Sequence, residues 1–461
     1  MQATCARDFL FLAVPGRSRY TGKIMDRILT SQTPDHTGET VKVAGFVQTV
    51  RAQGSIIFLI VRDITGIVQV VVTKDNAKAM QVAKGLTLES VIEVEGLAKK
   101  AKQAPGGFEI STATIRVLSE AAAELPIPIT QKGQGETDQA IRLDWRWLDL
   151  RKPEQAMVFK VWTVMEAAFR EYWISKGYIE IHSPKLIGAP SESGAEVFKV
   201  QYFERTAYLA QSPQFYKQMA MAAGFEKVFE VGPVFRAEPS FTSRHATEFT
   251  GYDAELSYIS SHHEVMAEEE NVIQHAIQRV HNAYKKEIQS LFNRTVTVPK
   301  TPFPRLTMKE TKNILSTLKV PNEKEGDLSP EEERNISEYV KEKHGHEFVF
   351  ITDYPVAGRP FYHMRSEKDP ALTKSFDLLW NGLEVTTGAQ REHRYDILMS
   401  QAKEKRMNIE SIQFYLNFFK YGCPPHGGFG MGPNRMMMQL LSLDNIRDAS
   451  FMYRGVKRLE P

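Results

Sequence analysis

The sequence predicts an α+β protein in two parts, a small N-terminal β-barrel followed by a larger antiparallel sheet flanked by helices. Three observations predict it. From residue 40 to about 119, five short Val- and Ile-rich runs are separated by Gly or Asp. Residues 121–141, AAAELPIPITQKGQGETDQAI, mix Pro, Gly and polar side chains without a period, as a hinge does. Beyond them, helical patterns alternate with period-two runs, the clearest pair being 231–235 and 252–259. The expected division is 1–37 as an extension disordered in part, 38–120 as the barrel, 121–141 as the hinge and 142–461 as the larger domain, with a helical insertion at about 262–346.

A chain of 461 residues has room for two to four domains and a sizeable core. Its 25% charged and 42% hydrophobic residues are ordinary for a globular protein. A net charge of +2 means that any nucleic-acid contact must come from local patches and not from a global field. Two cysteines, Cys5 and Cys423, make neither a disulfide framework nor a zinc site, which fits a reducing cytoplasm. No apolar run approaches the roughly 18 residues that span a bilayer, so no membrane partner is expected. Residues 9–14 are apolar but too few for a signal-peptide core. Residues 1–24 read as a disordered extension or a start-site artefact.

In the barrel region, five strands with one helix-capable piece (residues 75–84) after the third match the OB-fold, which binds single-stranded nucleic acid on its sheet face. Phe58 reads either as core or as a stacking platform. Gln69 lies inside an apolar strand, where a polar side chain needs a partner. In the larger domain, Arg142–Arg151 holds Trp145 and Trp147, which read as packing residues. Residues 159–176 form an amphipathic helix ended by Gly177, and 178–181 a strand stopped by Pro184. Residues 188–198 form a small-residue loop. Residues 209–222 begin as a strand and become a helix after Ser212-Pro213, with Gln214 and Lys217 three apart on one face.

The run 229–259, FEVGPVFRAEPSFTSRHATEFTGYDAELSYI, reads as two antiparallel strands joined by a long loop. Period two puts Arg236 and Glu238 on one face, with Arg244-His245 in the loop and Phe249 opposite. Such a set suits a nucleotide: a guanidinium forks a phosphate, a ring stacks on a base, and a carboxylate accepts from an exocyclic amine. A surface hairpin with an Arg–Glu pair would look the same in isolation. Residues 262–292 form a long charged helix, and 318–346 read as a solvated helical insertion with no chemistry assigned. The alternation 379, 381, 383, 385 suggests one strand, after which Gly388 turns the chain into a basic cluster of Arg391, His393 and Arg394. Glycines 428, 430 and 432 then precede Arg435 at a helix start, where the dipole favours phosphate.

Taken together, FRAE…RH…EF resembles motif 2 of the class II aminoacyl-tRNA synthetases, 158–184 resembles motif 1, and GGFGMGPNRMMMQL (427–440) resembles motif 3. The GLEVTTGAQREH run narrows the resemblance to the aspartyl-tRNA synthetases of the archaeal and eukaryotic type, over about residues 38–461. That resemblance implies ATP, Mg²⁺, L-aspartate and tRNA as ligands, and a homodimer built on the motif 1 unit. It places Glu192, Gln214, Lys217, Arg236, Thr387 and Arg391 around aspartate. Arg236, Glu238, Arg244, His245, Phe249, Glu384, Gly432 and Arg435 fall around ATP, with Arg236 and Arg435 as the catalytic pair and Glu384 and Thr387 on the metal. It assigns Phe58 and Gln69 to the anticodon's central base. Gln48 and Pro105 fall at two positions near its third base, where discriminating enzymes tend to carry Trp and Lys and relaxed ones His and Pro, so Pro105 matches the relaxed group and Gln48 matches neither. Hence aspartylation of both the aspartate and the asparagine tRNA is expected, with a discriminating enzyme, an asparaginyl enzyme and a silent RNA-binding paralogue as the alternatives. The resemblance also makes Met25 an alternative start. Thr387 stands where the family has serine, Pro433-Asn434 and Met452-Tyr453-Arg454 depart from its pattern, and the expected location is the cytoplasm.

Overall fold

The computed structural model describes residues 25–130, 137–191 and 196–461. The expectations for residues 1–24 and for Glu192 therefore lie outside the described residues. The chain divides into two compact units, Met1–Thr130 and Gln131–Pro461.

The first unit is a closed five-stranded barrel, β1 (Thr40–Gln53), β2 (Ile56–Asp63), β3 (Gly66–Thr73), β4 (Val91–Lys100) and β5 (Phe108–Ser119), in the order β1-β2-β3-β5-β4. Helix α1 (Ala77–Gly85) follows β3, capped by Asn76, whose side chain accepts from the Ala79 amide. Alternate residues fill the interior: Val43, Val47, Leu59, Val61, Val70, Val72, Ile92, Val94 and Ile110 are fully buried. Phe58 and Gln69 belong to the other set, because period two turns them outward.

The second unit opens with α2 (Gln139–Asp144) and α3 (Arg146–Asp149), then α4 (Pro153–Ser175), started by Pro at its first position and followed by Gly177 at φ +79°. Strands β6 (Ile179–Glu180), β7 (Leu186–Ile187), β8 (Lys199–Tyr202) and β9 (Arg205–Leu209) lead to α5 (Gln214–Ala222), β10 (Lys227–Phe235) and β11 (Glu248–Ser257). Helix α6 (His262–Phe292) starts in a Ser261–Glu264 capping box and ends at Asn293 in the left-handed region. After it come β12 (Arg305–Thr307), α7 (Met308–Thr317), α8 (Pro330–His344), β13 (Phe348–Thr352), β14 (Ser375–Trp380), β15 (Leu383–Arg391), α9 (Tyr395–Glu404), α10 (Ile409–Lys420), β16 (His426–Met431) and α11 (Pro433–Leu441).

The main sheet has eight strands in the order β12-β13-β14-β15-β16-β11-β10-β6, and β7-β9-β8 form a smaller one. The six inner strands are antiparallel as expected, but β12 and β6 add in parallel at the edges, so the sheet is mixed. Helices α4 and α6 pack on each other, and α6 lies on β15 and β16. Aromatic contacts tie them down, with Trp173 stacked 4.9 Å from Phe229 and Phe169 5.2 Å from Tyr252.

Four local expectations are corrected. Residues 379–385 are not one strand. Asn381 and Gly382, both at positive φ (44° and 82°), turn β14 into β15 as a tight hairpin. Gly388 lies inside β15 and not at a turn, because the aromatic ring of Phe376 fills the space a side chain would need there. Trp145 and Trp147 are not packed inside; they are 37% and 51% exposed and lie against each other. The insertion is not solvated throughout, since Glu332 and Glu333 of α8 are buried.

Candidate active site

Three neighbouring strands set the floor of the site. Across the β11–β16 ladder Asp253 faces Gly430 and Glu255 faces Gly428, and β15 brings Thr387 and Ala389 to the other side of the same two glycines. Gly428 is required by its neighbours, since a Cβ there would strike the Ala254 carbonyl and the Glu255 carboxylate. A Cβ at Gly430 would lie 3.1 Å from Asp253 Oδ1.

Helix α5 sends Lys217, fully buried, into this floor. Its ammonium stands 2.8 Å from Asp253 Oδ1 and 3.3 Å from Glu255 Oε2, and donates to the Phe429 carbonyl at 3.2 Å. At the end of β15, Arg391 donates through Nε to Glu255 Oε1 at 2.9 Å and through Nη2 to the Gly428 carbonyl at 2.9 Å. Its Nη1 lies 3.1 Å from His363 Nε2. Burial pushes the Glu255 carboxyl up, but Arg391 and then Lys217 outweigh it and hold the group below its ordinary value. Burial, then the nearby Arg391, Arg359 and Lys405, hold His363 well below its usual range. It is therefore a neutral imidazole, able to accept from Arg391. Two cations face two carboxylates, so the floor is charge-balanced on its own. Gln214, one turn before Lys217, is buried, borders the cleft and donates to Gln218 Oε1 at 3.1 Å.

The cleft above this floor has a volume of about 430 Å³. Arg236 and Glu238 border it just beyond the end of β10 and not on the strand itself, yet they meet, with 3.7 Å between Nη1 and Oε1. The Arg236 guanidinium sits 5.6 Å from the ring centre of Phe249, and its Nε is buried without a hydrogen-bond partner among the described residues. An orphaned buried donor of this kind fits a ligand oxygen. His245 accepts or donates at Nδ1 with the Ser240 hydroxyl at 3.0 Å, and its Nε2 is 3.8 Å from Glu238. Burial, then Arg435, lower its pKa against the pull of Glu238, with Arg244 and Arg236 adding to the fall. Arg435, in the first turn of α11 after Gly432, donates to the Glu384 carbonyl at 2.9 Å. Arg244 pairs with Glu333 at 2.6 Å. Of the five arginines that line the cleft, Arg236, Arg244 and Arg435, with the N-terminus of α11 beside the last, suit a polyphosphate.

The donor set for a hard cation lies at Glu384 and Thr387, where the Thr387 hydroxyl donates to Glu384 Oε1 at 3.2 Å. Burial and then Asp377 push the Glu384 carboxyl up, with Arg435 and Arg359 opposing. A cation would relieve that cost, and an all-oxygen pair open to phosphate oxygens fits Mg²⁺. Among the described residues no cluster of three or more His, Cys, Asp or Glu is placed to hold a metal, so ligand phosphates would complete the shell. Asp377 faces Thr387 across the ladder, with its carboxylate held by Arg359.

Twelve of the expected residues (Gln214, Lys217, Arg236, Glu238, Arg244, His245, Phe249, Glu384, Thr387, Arg391, Gly432 and Arg435) thus converge on one cleft or its floor. Asp253, Glu255, Arg359, His363, Asp377 and Glu333 were not foreseen. Asp253 and Glu255 had a signal, two acids at i and i+2 interleaved with Tyr252, Ala254 and Leu256. The others sit where no period marks them.

In the barrel, Phe58 stands on the outer face with the Arg51 guanidinium 5.2 Å from its ring centre. Gln69 meets its partner requirement by donating to Glu109 at 3.1 Å. Gln48 lies at a bulge of β1 and accepts from Arg62 at 3.4 Å, while Arg62 forms a buried pair with Glu89 at 2.8 Å. Pro105 is exposed on a short 3-10 turn, Pro105–Gly107, that runs against β3.

Residues 138–453 match the family model described as tRNA synthetases class II (D, K and N), and residues 41–118 match the OB-fold nucleic acid binding domain. The chain is 44% identical to an aspartate–tRNA(Asp/Asn) ligase of Methanopyrus kandleri, over 95% of this chain and 100% of that one. It is 42% identical to an aspartate–tRNA(Asp) ligase of Pyrococcus abyssi, over 96% and 100%. Among solved structures, asparaginyl-tRNA synthetase from Pyrococcus horikoshii with asparaginyl-adenylate superposes with a TM-score of 0.89 at 34% identity, covering 95% of this chain and 100% of that one. Aspartyl-tRNA synthetase from Entamoeba histolytica gives 0.84 at 31%, covering 95% and 93%.

Proposed function

This chain belongs to the class II tRNA synthetases of the aspartate, lysine and asparagine group, and we propose that it works as an ATP-dependent aspartate–tRNA ligase acting on both the aspartate and the asparagine tRNA. The observation that carries the reading is the pairing of the Lys217–Arg391 floor with the three-arginine cleft above it. A β-carboxylate needs fixed cationic donors, and a guanidinium supplies shape as well as charge. In this reading Lys217 and Arg391 receive the aspartate side chain, and Gln214 and Thr387 orient its backbone end. Glu192 fits the same role from outside the described residues. Phe249 stacks on adenine and Glu238 accepts from its amino group.

Arg236 stands between the two ligands, holding the attacking carboxylate and the α-phosphate. Arg244, His245 and Arg435 hold the distal phosphates, with the backbone at Gly432 close by. Mg²⁺ at Glu384 and Thr387 would neutralise charge on the leaving pyrophosphate. Attack of a carboxylate on phosphorus needs no strong protein base, so these residues act by positioning and by fixed charge. The 3′-terminal hydroxyl of the tRNA then takes the aspartyl group from the adenylate. Phe58, Gln69, Gln48 and Pro105 would meet the anticodon. The working form is a cytoplasmic homodimer, supported by the exposed Ile174 and Ile179 beside edge strand β6. Light scattering should give twice the chain mass, and a monomer at micromolar concentration would count against it. No helix among the described residues is long and apolar enough to cross a membrane.

Aspartylation of purified aspartate and asparagine tRNA transcripts side by side tests the relaxed reading. Charging of the two within about tenfold is expected of a relaxed enzyme, whereas a contact that read the differing base, worth about 1–3 kcal/mol, would separate them by about 5- to 160-fold. Charging of the aspartate tRNA alone would instead make this a discriminating ligase and remove the argument from Gln48 and Pro105.

A further inference from the structure

The insertion between β11 and β13 touches a residue of the cleft wall, Arg244, through the Glu333 side chain. Helix α8 is fixed at its start by Pro330 and by a capping box in which Ser329 and Glu332 satisfy each other's backbone, and Glu332 is also held by Lys312 of α7 at 2.6 Å. Of its three leading acids, Glu331 is exposed and Glu332 is used in the cap. Glu333 instead reaches Arg244, a residue that lines the cleft, its Oε2 meeting Arg244 Nη1 at 2.6 Å, with the two side chains only 10% and 18% exposed.

Arg244 itself comes from the irregular segment between β10 and β11. Among the described residues its guanidinium has no other hydrogen bond, and its remaining donors border the cleft. A long side chain on a loop spreads over many rotamers unless something holds it. We propose that Glu333 is a positioning residue for adenylate formation, anchoring Arg244 so that the rest of its fork is presented to the polyphosphate. The inference rests on the reading of Arg244 as a phosphate ligand.

The cost of the arrangement supports it. Burial pushes the Glu333 carboxyl up to about 7 even though Arg244 pulls it down, with Glu384 of β15 adding to the rise and Arg435 of α11 opposing it. A buried ion pair is weak as a source of stability compared with apolar packing. An insertion helix with a buried hydrophobic side of its own (Ile336, Val340) gains little from placing a carboxylate there. A guanidinium fixed in advance, by contrast, needs no reorganisation when phosphate arrives.

The test uses the full chain and aspartate-dependent ATP–pyrophosphate exchange at saturating Mg²⁺, with Glu333→Ala, Glu333→Gln, Arg244→Ala and the Glu333→Ala/Arg244→Ala pair. Glu333→Ala should raise KM for ATP about tenfold and leave KM for aspartate unchanged. Glu333→Gln, which keeps an acceptor, should recover part of the loss. In the Arg244→Ala background the same change should add nothing, since the residue acts through that guanidinium. If Arg244→Ala raises KM for ATP and Glu333→Ala does not, the inference fails while the phosphate reading stands. If Arg244→Ala itself leaves KM for ATP unchanged, the parent reading fails. A fall in KM for ATP on Glu333→Gln would make Glu333 a competitor for Arg244 and overturn the proposal. A joint rise of both KM values with a lower unfolding midpoint would reduce Glu333 to a structural role.

Discussion

Lys217→Met is expected to lower the stability of the chain by about 3–5 kcal/mol, the usual result of removing one partner from a buried ion pair, and to abolish aspartate-dependent activation. Methionine matches the lysine stem in length, so the variant removes charge with little change of volume. What remains is unfavourable. Asp253 loses the cation 2.8 Å from its Oδ1, and Glu255 keeps only Arg391. Glu255 also sets the pH dependence. Its folded pKa lies below the ordinary 4.5, so the stability it contributes is present above about pH 4.5 and is lost as pH falls through the folded value. Lys217 is, after Arg391, the second of the charges that depress it. The gap in stability between wild type and variant should therefore be widest near pH 7 and narrow below pH 4.5. Urea unfolding at several pH values reads the gap, and Lys217→Met/Asp253→Asn should recover part of it by removing the stranded charge. A variant as stable as wild type at pH 7 would refute the account of the floor, and retained activation would refute the substrate role.

How much of this was legible depends on how each element is buried. The barrel could be read because its strands are half-buried, so Val43, Val47, Leu59 and Val61 mark one face and Phe58 falls on the other. The long helices α4 and α6 show one-sided burial, α4 behind a leading Pro153 and α6 behind a Ser261–Glu264 capping box. Strand β14 could not be separated from β15 by period, because every residue of β14 is buried and the alternation runs on through the turn. The Asn381-Gly382 dipeptide was the available signal. Edge strand β12, three residues long, is too short to show any period, whereas β6 lies within the strand expected at 178–181. In the site, the residues within the motif-like runs, Arg236 and Arg435 among them, were foreseen, whereas Asp253 and Glu255, facing Gly430 and Gly428, were not. Glu333 was not, because three successive acids at a helix start read as a solvated cap. Only the tertiary placement of α8 against the cleft separates the third from the other two. His363 and Arg359 lie in an irregular stretch after β13, where neither spacing nor composition marks them.

Arg236→Ala is expected to lower the rate of adenylate formation by about 10³-fold, the order found when a fixed donor at developing charge is removed. Arg236 sits just past the end of β10, and β10 is held in a nine-residue antiparallel ladder with β11, so its backbone is rigid where the side chain departs. The guanidinium reaches over Phe249 and toward Glu238, and its Nε has no partner among the described residues. Nothing in the fold requires that donor, since the side chain is 42% exposed. Stability should therefore change little on substitution, within about 0.5 kcal/mol as for surface positions, while catalysis falls. This separation distinguishes Arg236 from Lys217, where both fall together. Arg236→Lys keeps the charge but loses the planar fork, and should recover only a small part of the rate. Single-turnover formation of adenylate, followed beside thermal unfolding, reads both quantities. If Lys restored nearly full activity, a point charge would suffice and the bidentate role would be wrong. If Ala lowered stability as much as rate, Arg236 would be holding the loop 236–247 together and not the reacting carboxylate and phosphate.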